Sequence, residues 1–314
     1  MNKLLIYKKS CLIIAAALIA VIYSCEENSL DPKFTPAEGI NIIIGNQAII
    51  TSDMIEYYDN STKMFFLNNK LPEEFDYYEK SKFWITDNKE IIFEGALRLD
   101  CPCGTDSTIK TELHTGYFNF TMKLVKSQAN MSYYCSSEDE TNNELFTGTL
   151  KKYGKYREGL KAEIDEIKRL DSYNIQVTIK VTNLDSVSYY IPDPEKMGIN
   201  FYHSLTGGLT LQDPNNYDLT ANNIKIMRPH KNNVKVSYPE VSGTWDKNWL
   251  TLIEGKEDFY FTLDYTQFDP VYPGKYAASF NFTGLKGNLE NKDLQLDDGR
   301  IWIGEIGLSK EIEL

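Results

Sequence analysis

Five cysteines and three histidines are the residues in this 314-residue chain best suited to hold a metal or act as nucleophiles. Cys101, Cys103 and Cys135 lie in the body of the chain, and with His114 they have the ligand types of a Cys3His zinc site. Cys101-Pro102-Cys103 is tighter than the usual two-residue zinc knuckle, however. The simpler expectation is one disulfide joining Cys135 to Cys101 or Cys103, with a thiol left over and no metal. His114, His203 and His230 have no triad spacing. Ser107-Thr108-Ile109-Lys110 fits the S-x-x-K pattern of acylating serine enzymes, but the S-D-N and K-T-G partners are absent. No HExxH, G-x-S-x-G or glycine-rich phosphate loop occurs. Asp213, Asn215 and Asp218 are spaced like part of a calcium loop, yet the glycine and distal glutamate such a loop needs are missing, so a plain Asx/Pro turn is expected. With 45 acidic residues, no carboxylate pair stands out for glycoside hydrolysis.

Aromatic residues make up 13% of the chain, enough to supply both a core and a binding surface. Of the four tryptophans, Trp245 and Trp249 lie in the loop-like stretch SGTWDKNW and are the candidates for ligand contact, where a ring face could stack on a sugar. Trp84 and Trp302 sit in strand-like runs, where aromatics serve the core first.

The elements that would position these residues read as strands. Ile175, Val177, Ile179 and Val181 alternate with polar residues, as do Phe259, Phe261, Leu263 and Tyr265, and Tyr276, Ala278, Phe280 and Phe282. A period of two means strands with one apolar face. Shorter strands are expected at Ile42–Ile44, Met64–Leu67, Phe83–Ile85, Ile91–Leu99, Tyr117–Val125, Ile224/Ile226, Val234/Val236 and Ile301/Ile303. Thr51-Ser52-Asp53 with Glu56 looks like a helix start limited to one turn. The segment LKAEIDEIKRL from Leu160 has good helix formers but alternates as a strand, and in all-β surroundings it reads as a strand. Turn residues cluster at Thr206-Gly207-Gly208, Asp213-Pro214-Asn215-Asn216 and Pro273-Gly274. The pattern predicts a mainly β protein of two domains. An N-terminal β-rich domain (40–150) precedes an antiparallel sandwich (155–314), with the polar run SSEDETNN at 136–143 near the boundary.

Asn183 closing one strand and Pro273-Gly274-Lys275-Tyr276 opening another resemble immunoglobulin-like modules. That resemblance implies that Tyr276 pins an inter-sheet corner by bonding back to the backbone. The Cys…Trp…Cys core of antibody domains is absent, so the relation is distant.

The N-terminus gives the address. Lys3, Lys8 and Lys9 precede 13 almost wholly apolar residues, Cys11–Tyr23, too short to span a bilayer and the length of a signal-peptide core. Ile22-Tyr23-Ser24-Cys25 resembles the bacterial lipobox. The resemblance implies removal of residues 1–24 and lipidation of Cys25, followed by a flexible tether over 25–39. Glu26 and Glu27 resemble the surface-export signal of Bacteroidota lipoproteins, and Asp106-Ser107-Thr108 and Asp185-Ser186-Val187 resemble the O-glycosylation sequon of that phylum. The formal charge is −12, and loss of the three leader lysines takes it to −15. A chain this acidic repels nucleic acid.

The expectation is therefore a non-enzymatic lipoprotein of the outer membrane, exposed at the cell surface or, alternatively, facing the periplasm. It needs no cofactor, its partners are the membrane and a glycan or protein ligand, and its role is binding or display. The alternatives are a glycan-binding accessory to an outer-membrane importer and an immunity or inhibitor lipoprotein.

Overall fold

The computed structural model describes residues 38–45, 48–71, 82–98, 111–115, 118–126, 144–198, 202, 208–218, 223–227, 247–266, 268–285 and 289–314. Over these residues the protein is mainly β, with sandwich-type packing.

The first half holds strands β1 (Ile40–Ile44), β2 (Ala48–Ile50), β3 (Ile55–Asp59), β4 (Met64–Leu67), β5 (Lys82–Asp87), β6 (Glu90–Arg98), β7 (Thr111–Thr115) and β8 (Thr121–Lys126). Together with the two-residue β9 (Tyr156–Arg157) they form one sheet in the order β2-β1-β5-β6-β7-β8-β4-β3-β9. Pairing is antiparallel except for β6 with β7 and β3 with β9. The expected single turn is present, since Met54 N and Ile55 N both donate to Thr51 O. It does not propagate, because Ile55, Tyr57 and Tyr58 favour extended backbone.

One face of this sheet carries Ile40, Ile42, Ile44, Phe65, Phe83 and Ile85, all buried. Against them lies a helix the sequence pattern did not reveal, α1 (Glu144–Lys152). Phe146 and Leu150, one turn apart, are fully buried, and the Phe146 ring meets Tyr58 edge-on at 5.2 Å. Glu144 in the first turn and Lys151 and Lys152 in the last suit the helix dipole.

The second half begins with β10 (Leu160–Arg169) and β11 (Asn174–Asn183). The ambiguous segment from Leu160 is thus a strand. In β11, Ile175, Val177, Ile179 and Val181 are completely buried, while every second residue between them is partly solvated. Next come β12 (Tyr189–Pro192), a one-turn helix α2 (Pro194–Met197), β13 (Thr210–Asp218), β14 (Asn223–Met227), β15 (Leu250–Ile253), β16 (Asp258–Thr266), β17 (Lys275–Thr283), β18 (Arg300–Ile301) and β19 (Glu305–Glu313).

Sheet β10-β11-β16 packs on sheet β14-β13-β17-β19. Phe261 of the first faces Phe282 of the second at 6.4 Å, and Phe282 stacks on Trp302 at 5.3 Å. A small third sheet, β15-β12-β18, flanks them. Along one side, Lys310 of β19 donates to the carbonyls of Ile164 (3.0 Å) and Asp165 (2.5 Å), at the bulge in β10.

One expectation is corrected. Asp213-Pro214-Asn215-Asn216 is not a turn between strands but an irregularity inside β13, where register shifts between Gln212 and Tyr217. Leu211 pairs with Met227 of β14 on one side and Ala278 of β17 on the other, and pairing with β14 resumes at Tyr217, so the turn-forming residues bulge out of a strand that continues past them. The strand expected at Val234/Val236 lies outside the described residues.

The corner bond expected of Tyr276 is present. Its hydroxyl donates to Tyr272 O at 2.7 Å and accepts from Tyr272 N at 3.3 Å, while the ring is buried in the sandwich core. Tyr276→Phe should therefore lower the unfolding free energy by about 1–2 kcal/mol. Tyr260→Phe, on a half-exposed ring of the outer sheet face, should change it by less than about 0.5 kcal/mol. Urea denaturation at constant slope measures both.

Candidate functional site

Most residues singled out in the sequence lie outside the described residues. These are Cys25, Glu26, Glu27, Cys101, Cys103, Cys135, Ser107, Lys110, His203, His230 and Trp245. His114 is placed in β7 by its backbone. Trp249 ends a 3-10 turn (Lys247–Trp249) and is partly buried, and its carbonyl accepts from Asp193 N at 2.9 Å. Trp302 is 1% exposed and belongs to the sandwich core. Of the triplet Asp185-Ser186-Val187, Ser186 and Val187 face solvent while Asp185 turns inward.

Asp185 leads to a polar cluster at the seam between the two halves. Strand β3 supplies Glu56, Tyr57 and Asp59. The crossing segment that links the halves supplies Arg157, Glu158 and Gly159. The loop before β12 supplies Asp185, with Tyr189 at its end, and β18 supplies Arg300. Glu56 receives Arg300 bidentately, Nη1 to Oε1 at 2.8 Å and Nη2 to Oε2 at 3.0 Å, and Asn291 Nδ2 at 2.8 Å. Arg300 also bonds Asn291 Oδ1, and only 5% of its side chain is exposed. Its guanidinium lies 5.0 Å from the Tyr57 ring, and Arg157 lies 4.0 Å from the same ring. Tyr57 stacks in turn on Phe66 at 4.5 Å.

The second knot is at Gly159. Asp185 accepts from Glu158 N at 2.8 Å, Gly159 N at 3.0 Å and the Tyr189 hydroxyl at 2.7 Å. Asp59 Oδ1 accepts from Ser61 N (2.8 Å), Ser61 Oγ (2.5 Å) and Thr62 N (3.1 Å). Gly159 has φ +75°, and a Cβ there would collide with Asp59 Oδ1 and Ser61 Oγ, so the crossing needs glycine on both counts.

Burial, reinforced by the nearby Asp185, raises the Asp59 carboxyl above its ordinary value against the opposing pull of its hydrogen bonds. Burial likewise pushes the Tyr57 and Tyr189 phenols well up, so both stay protonated donors at neutral pH. No family model, curated protein or solved structure matches the chain.

Glu56 answers Arg300 across the seam, and Asp185 is filled by backbone N–H groups of the crossing, so the arrangement ties separate segments together. Around it a third apolar cluster draws Tyr57, Met64, Phe66 and Phe120 from the first half together with Tyr190, Leu250, Leu285, Leu294, Ile301 and Ile303 from the second. Apart from Asp185, noted only as part of a glycosylation triplet, none of the seam residues was identified in the sequence as a site. The available signal was acids embedded in an apolar strand, Ile55-Glu56-Tyr57-Tyr58-Asp59, since a charge at such a place needs a buried partner.

Two outcomes follow. Glu56→Gln should lower the unfolding free energy by roughly 2–3 kcal/mol. That is somewhat less than for a fully buried pair, because about a quarter of the Glu56 side chain is exposed. Pairing it with Arg300→Met should recover part of the loss, and a double-mutant cycle in urea reads the coupling. For Asp59, a raised folded-state pKa means that its contribution is greatest below its ordinary value near 3.8 and fades as pH rises through the shifted value. Asp59→Asn should remove that component, so the melting temperature of the variant relative to wild type should rise between pH 4 and pH 7.

Proposed function

We propose that this chain is a lipid-anchored, non-enzymatic envelope protein of the Bacteroidota type, held at the outer membrane with its body at the cell surface and used for binding or display. One observation carries the reading: Cys25 stands directly behind Ile22-Tyr23-Ser24 at the end of a short apolar run preceded by lysines, and is followed by Glu26 and Glu27. Diacylation at about 0.8 kcal/mol per buried methylene anchors a protein of this size durably. No described helix is long and apolar enough to cross a membrane.

The mainly β body supports a binding role. It is two packed layers joined to a large sheet through an apolar cluster and the Glu56–Arg300 pair, a scaffold on which loops can be presented. The Tyr276 corner and the facing sheets favour an immunoglobulin-like arrangement for the second half. The catalytic patterns sought in the sequence are missing their partners, which favours binding over turnover.

Cys25→Ala should move the protein from the membrane pellet to the soluble fraction, and intact-cell proteolysis should remove the wild-type body. Retention of the variant in membranes washed at high salt overturns the lipid anchor. Protection of the wild type from external protease places it on the periplasmic side instead.

A further inference from the structure

Seven large hydrophobic side chains are exposed among the described residues, and three of them, Leu170 (59%), Tyr173 (56%) and Tyr272 (65%), sit on two adjoining turns. The turns are the β10–β11 connection and the segment between β16 and β17. They are bonded to each other: Phe268 N donates to Tyr173 O and Val271 N to Ser172 O, each at 2.8 Å, and Arg169 Nε donates to Val271 O at 2.9 Å. The backbone under each tyrosine is held. Tyr173 N donates to Asp171 Oδ1 at 2.7 Å, and both the N–H and the carbonyl of Tyr272 bond the Tyr276 hydroxyl. Gly274 and Leu314 exchange N–H to carbonyl bonds at 2.8 and 2.9 Å behind them. Two aromatic rings thus stand in solvent on a backbone with little freedom left to lose on binding.

The location is equally specific. Strands β10 and β11 start and end at the seam, where Leu160 pairs with Asn183, and reach their turn at the opposite end. Ten residues at about 3.3 Å each put that turn roughly 30 Å from the seam. Gly39, whose N–H bonds Asn88 Oδ1, belongs to the first half, so the two tyrosines are at the end of the second half away from it.

The size and charge of the patch select its occupant. Three side chains at these exposures offer on the order of 300 Å² of apolar surface. A standard protein interface needs about 800 Å² on each partner. Arg169 and Lys275 are outnumbered by Asp171, Asp269 and Glu313, the last paired with Lys275 across β17 and β19, so the tip has no basic excess for an acidic polymer. We infer that the Tyr173–Tyr272 tip is a binding site for an uncharged polysaccharide chain, whose pyranose faces stack on the two rings. This deepens the binding role proposed above. It also relocates the ligand contact from the tryptophan stretch at 245–249 to a pair of tyrosines.

The test is native affinity electrophoresis of the detergent-extracted full-length protein in gels containing dextran, laminarin, xylan or galactomannan, with polygalacturonate as the charged comparison. At least one uncharged polysaccharide should retard the wild type. Tyr173→Ala with Tyr272→Ala should weaken retardation at least tenfold, whereas the corresponding double phenylalanine variant and Tyr260→Ala should keep it. An unchanged melting temperature of the double alanine variant shows that the loss is not unfolding. The inference is overturned if no uncharged polysaccharide retards the wild type, if only polygalacturonate does, if the double alanine variant binds as well as wild type, or if crosslinking instead finds a protein on the tip. A protein that is retarded but carries no lipid on Cys25 overturns the anchor and leaves the tip standing.

Discussion

The pairing of Glu56 with Arg300 is the constraint around which the two halves are arranged. Arg300 is almost completely removed from water, and a guanidinium in that position is tolerable only with a carboxylate at bonding distance. Glu56 meets it with two oxygens, Asn291 bridges the pair, and the faces of Tyr57 and Phe66 complete the enclosure. Such a pair adds little net stability over a well-packed apolar contact, because desolvation consumes most of the Coulombic gain. What it adds is specificity: any other register of β3 against β18 leaves a buried charge alone. The apolar contacts around it, Met64 and Phe66 with Ile301 and Ile303, supply attraction without direction.

The crossing at Glu158–Gly159 works in the same sense from the other side. Backbone N–H groups of the crossing fill one carboxylate, Asp185, while the absence of a side chain at Gly159 lets a second, Asp59, approach closely. The halves are thus joined at two separate places, the Glu56–Arg300 pair and the Glu158–Gly159 crossing.

Much of the second half was legible because its strands have one wet and one dry face. Residues 175–181, 259–265 and 276–282 alternate cleanly, and each became a strand with the expected side buried. Tyr276 was legible through local chemistry, a phenol four residues from the carbonyl it meets. In contrast, β3 and β12 went unseen because both are buried on two sides, so that IEYYD and YYIP carry no alternation. The helix α1 was hidden by its composition, with Gly148 and two threonines in nine residues and only Phe146 and Leu150 to mark a face. The insertion in β13 looked like a turn because its residues are turn residues, and only partners on either side reveal that the strand resumes. The seam was least legible, since Glu56 and Arg300 are 244 positions apart, and the apolar setting of Glu56 signals that a partner is needed without saying which.

The edge strand β19 is held from two directions at once. It pairs with β17 along nine residues, and its Lys310 donates to the carbonyls of Ile164 and Asp165 at the bulge of β10, so one strand finishes its own sheet and clasps the facing one. Moving β19 by a single residue along β17 would turn Leu308 from the core to solvent and carry Lys310 away from those carbonyls, so the strand has one seat.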